Sequence, residues 1–310
     1  MSSPSTPASM GSIGSIALIG SLTFFWGANW PFMKIALSEI PVWWFRTICL
    51  FVGGSGLMLI AWISGQSLRV PRAEIPALLF CALFNVIGWH LFTGYGVSMI
   101  PAGRAVIIAY TMPVWASIFS CYVLNEPFSL NKTIALALGL CGLAVLIGPD
   151  FVELGSAPLG VILMLGAAIS WAAGSVAFKR PEWSVSVSVL VAWQLLFGAV
   201  PLLIGAILIE DPFNVTTVSS SGLYALGYVV VFPMIFCQWA YFKSVRIFPV
   251  SFAAISTMGI PLVGTYASAL ILDESVGVSE LIALVLICSA LAAVLFPSAF
   301  NKTKGLDQCA

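Results

Sequence analysis

Ten long apolar stretches follow one another along the chain, and short polar or turn-forming segments separate them. A helix needs about 20 apolar residues to cross about 30 Å of hydrocarbon. The pattern therefore predicts ten transmembrane helices, over residues 12–34, 41–64, 74–98, 102–123, 130–148, 158–179, 186–209, 220–245, 250–272 and 277–297. The connecting segments are too short to form a soluble domain. The predicted fold class is an all-α polytopic membrane protein.

Composition supports this class, because 60% of the 310 residues are hydrophobic and only 8% are charged. Soluble domains carry about a quarter charged residues. The net charge is zero, so the composition gives no reason to expect nucleic acid as a partner. Six of the seven cysteines fall inside apolar runs and are interpreted as packing residues, so neither a metal site nor a cofactor is expected. The first apolar run is interpreted as a membrane span, since the preceding residues lack the basic segment of a signal peptide.

The distribution of charge predicts an orientation. With the amino terminus in the cytoplasm, basic residues concentrate in the inner segments, as at Arg69, Arg72 and 179–180, which predicts that both termini are cytoplasmic and that the protein lies in the cell inner membrane. Three basic residues near predicted outer ends depart from this rule. Each is expected to extend toward the interface or to face a water-filled vestibule. They are Lys34, Arg46 and Arg104.

The second half of the chain repeats the first. A shift of 148 places Pro101 on Pro249, Pro113 on Pro261 and Glu126 on Glu274. Because a unit of five helices ends on the side opposite to its start, the second copy should be inverted, with the turn at 125–126 inside and the turn at 273–274 outside. The sequence thus predicts two inverted five-helix repeats around a central cavity, over residues 1–149 and 150–310.

The order of these features resembles the EamA-type drug/metabolite transporter superfamily, in particular its ten-helix amino-acid and metabolite exporter branch, which includes aromatic amino-acid exporters. The resemblance lies in 26–29 (Trp-Gly-Ala-Asn), in Arg46 and in the acidic turns before the fifth and tenth helices. It implies that helices 1–4 and 6–9 surround the cavity, that helices 5 and 10 are peripheral, and that small organic solutes are exported. Gly174 and Gln194 stand where the first repeat has Asn29 and Arg46, so the binding chemistry should be asymmetric.

Polar and aromatic residues within the spans are the candidates for a substrate-binding site, because unpaired polar groups are costly in lipid. The candidates are Asn29, Asn85, Trp89, His90, Tyr95, Tyr110, Trp171, Gln238, Trp239 and Tyr241. Aromatic walls with a few polar groups suit an amphipathic or zwitterionic solute, and an aromatic face can hold an ammonium group. The alternative is that the aromatic residues simply pack against lipid or neighbouring helices.

His90 is the only histidine and has two interpretations. It could titrate in the physiological range and couple transport to protons. No carboxylate lies near the centre of any predicted span, and this isolation favours the alternative of a neutral imidazole hydrogen-bonded within the bundle. Proton exchange and facilitated diffusion both remain open.

Three prolines are predicted hinges: Pro31, Pro113 and Pro261. A proline removes a backbone donor and can kink a helix, which a rocking transition can use. The alternatives are structural prolines without motion and, for Pro31, a proline that ends its helix. Glu126 and Glu274 are predicted to cap the helices that follow them.

The sequence as a whole predicts a monomeric secondary transporter in membrane lipid, which exports amino acids or similar small organic metabolites by alternating access. A broad-specificity drug or cation efflux carrier is the alternative, although the buried carboxylate typical of such carriers is missing. A sugar-phosphate exchanger would need paired basic residues such as Lys243 and Arg246. An enzyme is not predicted, because one histidine without mid-span acids provides no catalytic constellation.

Overall fold

The computed structural model describes residues 13–125, 130–147, 157–241 and 250–295. Within these ranges the chain forms ten helical stretches and no strand. They are α1 (Ile13–Leu37), α2 (Val42–Ile63), α3 (Ile75–Met99), α4 (Ala102–Val123), α5 (Leu130–Ile147), α6 (Ala157–Phe178), α7 (Val187–Ile209), α8 (Ser220–Tyr241), α9 (Val250–Leu272) and α10 (Val278–Leu295). A short 3₁₀ turn, Val215–Thr217, precedes α8.

The helices have the dimensions and surfaces of membrane spans. Among the described residues, α2, α3, α4, α6, α7 and α8 are long and apolar enough to cross a bilayer, and α5, α9 and α10 contain shorter apolar stretches. Large apolar side chains cover the outer surface, among them Trp62, Leu208 and Leu270. Such a surface is rare on soluble proteins. The predicted class, a helical polytopic membrane protein, is therefore confirmed.

The helices pack in a regular scheme. The most extensive contacts join α2 to α7, α5 to α10, α1 to α9 and α3 to α6, and further contacts join α1 to α8 and α4 to α6. Each helix of the first half corresponds to the helix five places later in the second half. Under this correspondence the α1–α9 contact matches α6–α4, the α1–α8 contact matches α6–α3, and α2–α7 and α5–α10 each match themselves. The two halves therefore pack by the same scheme. The largest buried apolar cluster involves α1, α4 and α8, and includes Trp30, Ile108 and Val229.

The two ends of α2 and α7 show that these helices are antiparallel. Glu210, which follows α7, accepts hydrogen bonds from the backbone N–H groups of Trp43 and Trp44 at the start of α2 (3.1 and 3.2 Å). At the other end Gln66, which follows α2, accepts from the hydroxyls of Ser186 and Ser188 at the start of α7 (2.5 and 2.9 Å). The segment that leaves each helix therefore fixes the beginning of the other.

Two pairs of local irregularities recur in the two halves. A π-helical turn interrupts α3 at Leu83–Gly88, and another interrupts α8 at Val230–Cys237. Among the described residues, the non-glycine residues with positive φ are Asn125 and Asp273, both at 54°, which follow α4 and α9. Asn and Asp tolerate this left-handed conformation better than most residues. The π turns were not predicted from the sequence.

The three hinge prolines sit in different backbone settings. The helical hydrogen bonding of α4 breaks at Tyr110–Thr111, and Pro113 lies in the first turn of its second part, which begins at Met112. In contrast, α1 continues past Pro31 to Leu37, and α9 continues past Pro261. The alternative in which Pro31 ends the first helix is therefore wrong, since one missing donor leaves the other backbone hydrogen bonds of a helix available.

Candidate functional site

The π turn of α3 holds a group of polar side chains where α3, α6 and α7 meet. Ser170 of α6 donates a hydrogen bond to the carbonyl of Phe84 (2.8 Å), and Asn85 donates through Nδ2 to Oε1 of Gln194 on α7 (3.4 Å). A π turn displaces backbone carbonyls from regular pairing, and such turns occur frequently at functional sites. Oδ1 of Asn85 is buried and has no hydrogen-bond partner among the described residues. Unused hydrogen-bonding capacity is thus present at this junction.

Close approach of α6 to α3 depends on two glycines. A Cβ on Gly88 would lie 2.2 Å from Oγ of Ser170, and a Cβ on Gly174 would lie 2.2 Å from Oδ1 of Asn85. The sequence difference between the repeats at Gly174, where the first repeat has Asn29, therefore has a steric basis. The smaller residue makes room for the Asn85 side chain.

Aromatic rings adjoin the polar group. Trp89 of α3 and Trp171 of α6 have ring centroids 5.0 Å apart at 57°, a tilted arrangement that aromatic pairs favour. Trp171 directly follows Ser170 in the sequence. The structure therefore brings three predicted site residues together: Asn85, Trp89 and Trp171.

A buried cation from α2 lies against α3, one turn beyond Trp89. Arg46 of α2 is 2% exposed and donates through Nη2 to Oγ1 of Thr93 (2.8 Å) and to Sδ of Met33 (2.9 Å). Thr93 in turn donates to the carbonyl of Trp89 (2.7 Å). The expectation that Arg46 extends to the interface is wrong, because the guanidinium is buried between α1 and α3. Sequence reasoning noted Arg46 but did not include it in the site.

His90 is buried beside this group, at 4% exposure. Its Nδ1 has no hydrogen-bond partner among the described residues. Both interpretations of His90, the structural and the proton-coupling one, stay predictions.

A second set of predicted residues lies between α1 and α8. Tyr241 packs against Trp26 with ring centroids 5.7 Å apart, and Trp239 packs against Phe236 at 6.1 Å. Gln238 is partly buried beside them in α8. Oδ1 of Asn29 on α1 is buried without a hydrogen-bond partner among the described residues. Trp26, which sequence reasoning used only to align the repeats, is the counterpart of Trp171.

Tyr95 and Tyr110 occupy packed positions. The hydroxyl of Tyr95 accepts a hydrogen bond from Nε1 of Trp43 (2.8 Å), near the start of α2. Tyr110 is buried at the break in α4, within the main apolar cluster. The structure therefore does not place either residue against the Trp89–Trp171 pair.

Charged side chains tie together one end of the bundle. Glu274 accepts hydrogen bonds from the N–H groups of Ala102 and Gly103 at the start of α4 (2.7 and 2.9 Å), while Arg104 pairs with Glu280 (2.6 Å). A cavity of about 260 Å³ lies between these residues. Lys34 donates to the carbonyls of Val97 and Ile100 nearby.

The predicted cap at Glu274 is real but belongs to a different helix. The carboxylate caps α4, whereas Glu280 accepts from Gly277 at the start of α10. The left-handed Asp273 turns the chain at the end of α9, and Glu274 then lies against the start of α4. Glu126, the other predicted cap, lies outside the described residues. Among those that are described, no group of three or more His, Cys, Asp or Glu residues could hold a metal ion.

Comparison with known proteins gives consistent matches over nearly the whole chain. The EamA-like transporter family matches twice, over residues 13–148 and 158–296. The uncharacterized transporter YvbV of Bacillus subtilis (strain 168) is 32% identical over 289 residues, 93% of this chain and 94% of that protein. A probable amino-acid metabolite efflux pump of Salmonella typhimurium is 24% identical over 304 residues, 94% of this chain and 97% of that protein.

The fold also matches a solved structure. One crystal structure of a protein superimposes with a TM-score of 0.65 at 19% sequence identity, over 90% of this chain and 96% of that chain. At this level of identity the match shows a shared fold.

Proposed function

Because the chain belongs to the EamA-like transporter family, we propose that this membrane transporter exports amino acids or similar small organic metabolites from the cytoplasm. Family membership identifies a transporter and not an enzyme. The observation that carries the proposal is the Trp89–Trp171 pair beside the hydrogen-bonding group of Asn85, Gln194 and Ser170. Relatives in Salmonella typhimurium and Escherichia coli are named as probable amino-acid metabolite efflux pumps, which agrees with this choice.

The proposed solute site lies between α1, α3, α6 and α8. Ring pairs would provide apolar walls for the body of the solute, and a few polar groups would orient it, as is usual for small-molecule sites. Its proposed lining consists of Asn29, Asn85, Trp89, His90, Trp171, Gln238, Trp239 and Tyr241. Tyr95 and Tyr110 belong to the proposed lining as well; Tyr95 is held by Trp43, and Tyr110 lies in the buried cluster against which Trp89 packs.

Alternating access by two inverted five-helix repeats, over 1–149 and 150–310, is part of the proposal. Four observations support it: the antiparallel α2 and α7, the packing scheme shared by both halves, the paired π turns, and the paired residues with positive φ. Inverted repeats of this kind rock against each other around a fixed site. The break in α4 beside Pro113 is the strongest proposed hinge. Pro31 and Pro261 lie within continuous helices and are weaker candidates.

The proposed orientation places both termini in the cytoplasm and the protein in the inner membrane, where the Escherichia coli relative YedA is named a transporter. Cysteines introduced at positions 126 and 274 test the inversion. A membrane-impermeant thiol reagent should label position 274 from outside and position 126 only from inside, relative to the unsubstituted chain. Labelling of both positions from the same side would contradict the inverted arrangement.

Reconstituted vesicles test the function. Flux of a labelled amino acid should saturate, and unlabelled amino acids should compete better than polyamines or lipophilic cations. Trp171→Ala and Tyr241→Ala should each reduce flux more than they reduce expression, whereas Trp62→Ala, at a side chain 65% exposed on the helix surface, should not. Undiminished flux in both site variants would contradict the proposed placement of the solute site.

Energy coupling has its own test at His90. Proton exchange and facilitated diffusion are both open, and His90, whose Nδ1 is buried and unpartnered among the described residues, is where they can be separated. If transport exchanges solute for protons through this residue, His90→Gln should reduce the response of flux to an imposed pH gradient while flux without a gradient persists. An unchanged gradient response would exclude proton coupling through His90 and leave facilitated diffusion.

The drug or cation carrier is the weaker alternative. The fully buried charged group near the proposed site is Arg46, a cation, and it would repel a cationic solute. The sugar-phosphate alternative depended on Lys243 and Arg246, which lie outside the described residues.

A further inference from the structure

Arg46 is a buried cation without a carboxylate. It is 2% exposed, and none of the ion pairs in the described part of the chain involves it. A charged residue inside a membrane protein is costly, and such residues mark substrate and ion pathways. A guanidinium stays protonated in proteins, so its charge must be balanced in another way.

The hydrogen-bonding capacity of this guanidinium is largely unused. Arginine has five N–H donors. Two contacts are present, from Nη2 to Oγ1 of Thr93 and to Sδ of Met33, while Nε is buried without a partner in the described chain. A thioether is a weak acceptor. The edge formed by Nε and Nη2 therefore offers donors that a carboxylate would satisfy far better, since carboxylates bind guanidinium groups through two parallel hydrogen bonds.

His90 is a second buried group with an unpartnered atom. His90 is 4% exposed, its Nδ1 has no partner among the described residues, and it lies within electrostatic range of Arg46. Neither group has an anion to bind within the described structure. A carboxylate that reached the guanidinium would be held by this donor edge, with the imidazole within electrostatic range.

The α3 residues beside Arg46 suggest which chemical groups a bound anion would carry besides its charge. Arg46 donates to Thr93, and Thr93 donates to the carbonyl of Trp89 one turn away. Trp89 in turn packs against Trp171. A positive group and an aromatic surface thus lie one helical turn apart. This arrangement matches a solute with a carboxylate at one end and an apolar body at the other.

We propose that Arg46 binds the carboxylate of the exported solute, with Met33 giving way to it, so that the substrates are amphipathic carboxylates, amino acids among them. This inference rests on the proposed function. It makes Arg46 a specificity-determining residue: solutes that lack a carboxylate, including lipophilic cations and amino-acid amides, are rejected because they leave the guanidinium unsatisfied.

The first experiment uses the unmodified protein in proteoliposomes. Labelled leucine and phenylalanine are allowed to exchange, and each unlabelled amino acid is compared with its own amide as a competitor. The amide keeps the ammonium group and the side chain but has no anionic carboxylate. We expect the acid to compete at least about tenfold better, a modest ratio for loss of a charged hydrogen-bond partner. Equal competition by the amide overturns the proposal.

The second experiment uses Arg46→Gln and Arg46→Lys, with Arg69→Gln as the matched control at an exposed arginine after α2. Arg46→Gln should raise the concentration of amino acid needed for half-maximal flux at least about tenfold and abolish discrimination against the amide. Arg46→Lys should retain part of both, because lysine keeps the charge but loses the two-pronged geometry. Arg69→Gln should resemble the unmodified protein. Full discrimination in a folded Arg46→Gln variant overturns the proposal.

The two proposals fail in distinguishable ways. Absence of saturable flux for every amino acid contradicts the proposed function. Saturable amino-acid flux without preference for acid over amide leaves the proposed function intact and removes only the role of Arg46. If Arg46→Gln fails to fold, equal competition by the amide in the unmodified protein still overturns the proposal, and Arg46→Lys tests the assignment to Arg46.

Discussion

Replacement of Gly174 by alanine is the sharpest test of how closely α6 approaches α3 at the proposed site. The added Cβ would lie 2.2 Å from Oδ1, 2.6 Å from Cγ and 2.9 Å from the backbone N of Asn85. Favourable separations between carbon atoms are about 3.5–4.0 Å. Rotation of the Asn85 side chain can relieve the first two contacts. The third involves backbone, so the two helices must also move apart.

The structure gives the size of the effect. Extra methylene groups in packed cores typically cost about 1–3 kcal/mol, and the backbone contact favours the upper part of that range. In soluble domains of 150–250 residues each kcal/mol lowers the melting temperature by about 2–4 °C. We therefore expect Gly174→Ala to melt several degrees below the unmodified protein and to lose amino-acid flux, because the Asn85–Gln194 contact is displaced with the helices.

Thermal unfolding of the purified protein in detergent, followed by tryptophan fluorescence, measures this effect. Gly227→Ala is the control, because a Cβ at this helical position meets nothing within 4 Å. Gly174→Ala combined with Asn85→Ala should recover only part of the loss, since the contact to the backbone N remains. A melting temperature for Gly174→Ala equal to or above that of Gly227→Ala would refute the close approach of α6 to α3.

Two further predictions concern carboxylates that join separate helices. Glu274→Gln keeps one acceptor but loses the charge at the start of α4, where caps are worth about 0.5–2 kcal/mol. Amide hydrogen exchange over 102–104 should therefore become faster. Glu182→Gln, at an exposed position, should leave this exchange unchanged, and unaltered exchange in Glu274→Gln would contradict the cap. Hydrogen bonds from the side chain and the backbone of Ser219 lower the pKa of Glu39 below its usual 4.5. The folded state thus favours the ionised carboxylate. The stabilisation by this carboxylate is complete above pH 4.5 and is lost as the pH falls through the lowered pKa. Amide hydrogen exchange at the start of α8 should therefore become faster on acidification, and Glu39→Gln should remove this pH dependence. A pH dependence that persists in the variant would assign it to another group.

The helices themselves were readable from the sequence because the hydrophobic requirement for crossing a membrane is strong and simple. Observed and predicted ends agree closely for most helices, as for α2 and α7. The end of α1 differs, since the helix runs to Leu37 and not to 34. Lys34 stops an apolar run, but its amino group reaches the carbonyls of Val97 and Ile100 and so lets the helix continue. The family resemblance was confirmed by the match over both halves.

The site was only partly readable, for physical reasons that lie in tertiary contacts. Trp89 and Trp171 were both identified as polar-aromatic candidates, but nothing in the sequence pairs them across two helices. The burial of Arg46 depends on Met33 and Thr93 from two other helices. Glu274 was assigned to the nearest helix in sequence, whereas the turn at Asp273 carries it to another. Its charge signalled a cap but not which one.

The π turn in α3 also sets the rotational phase of everything that follows it in that helix. A helix advances by about 100° for each residue. Deletion of one residue within Leu83–Gly88 would therefore restore regular helical geometry but rotate the side chains that follow. Trp89, His90 and Thr93 would all swing about a quarter turn away from α6 and α2. The extra residue of the π turn therefore sets the direction in which the second half of α3 presents its side chains to α6 and α2. A relative without that residue would need different side chains to form the same contacts.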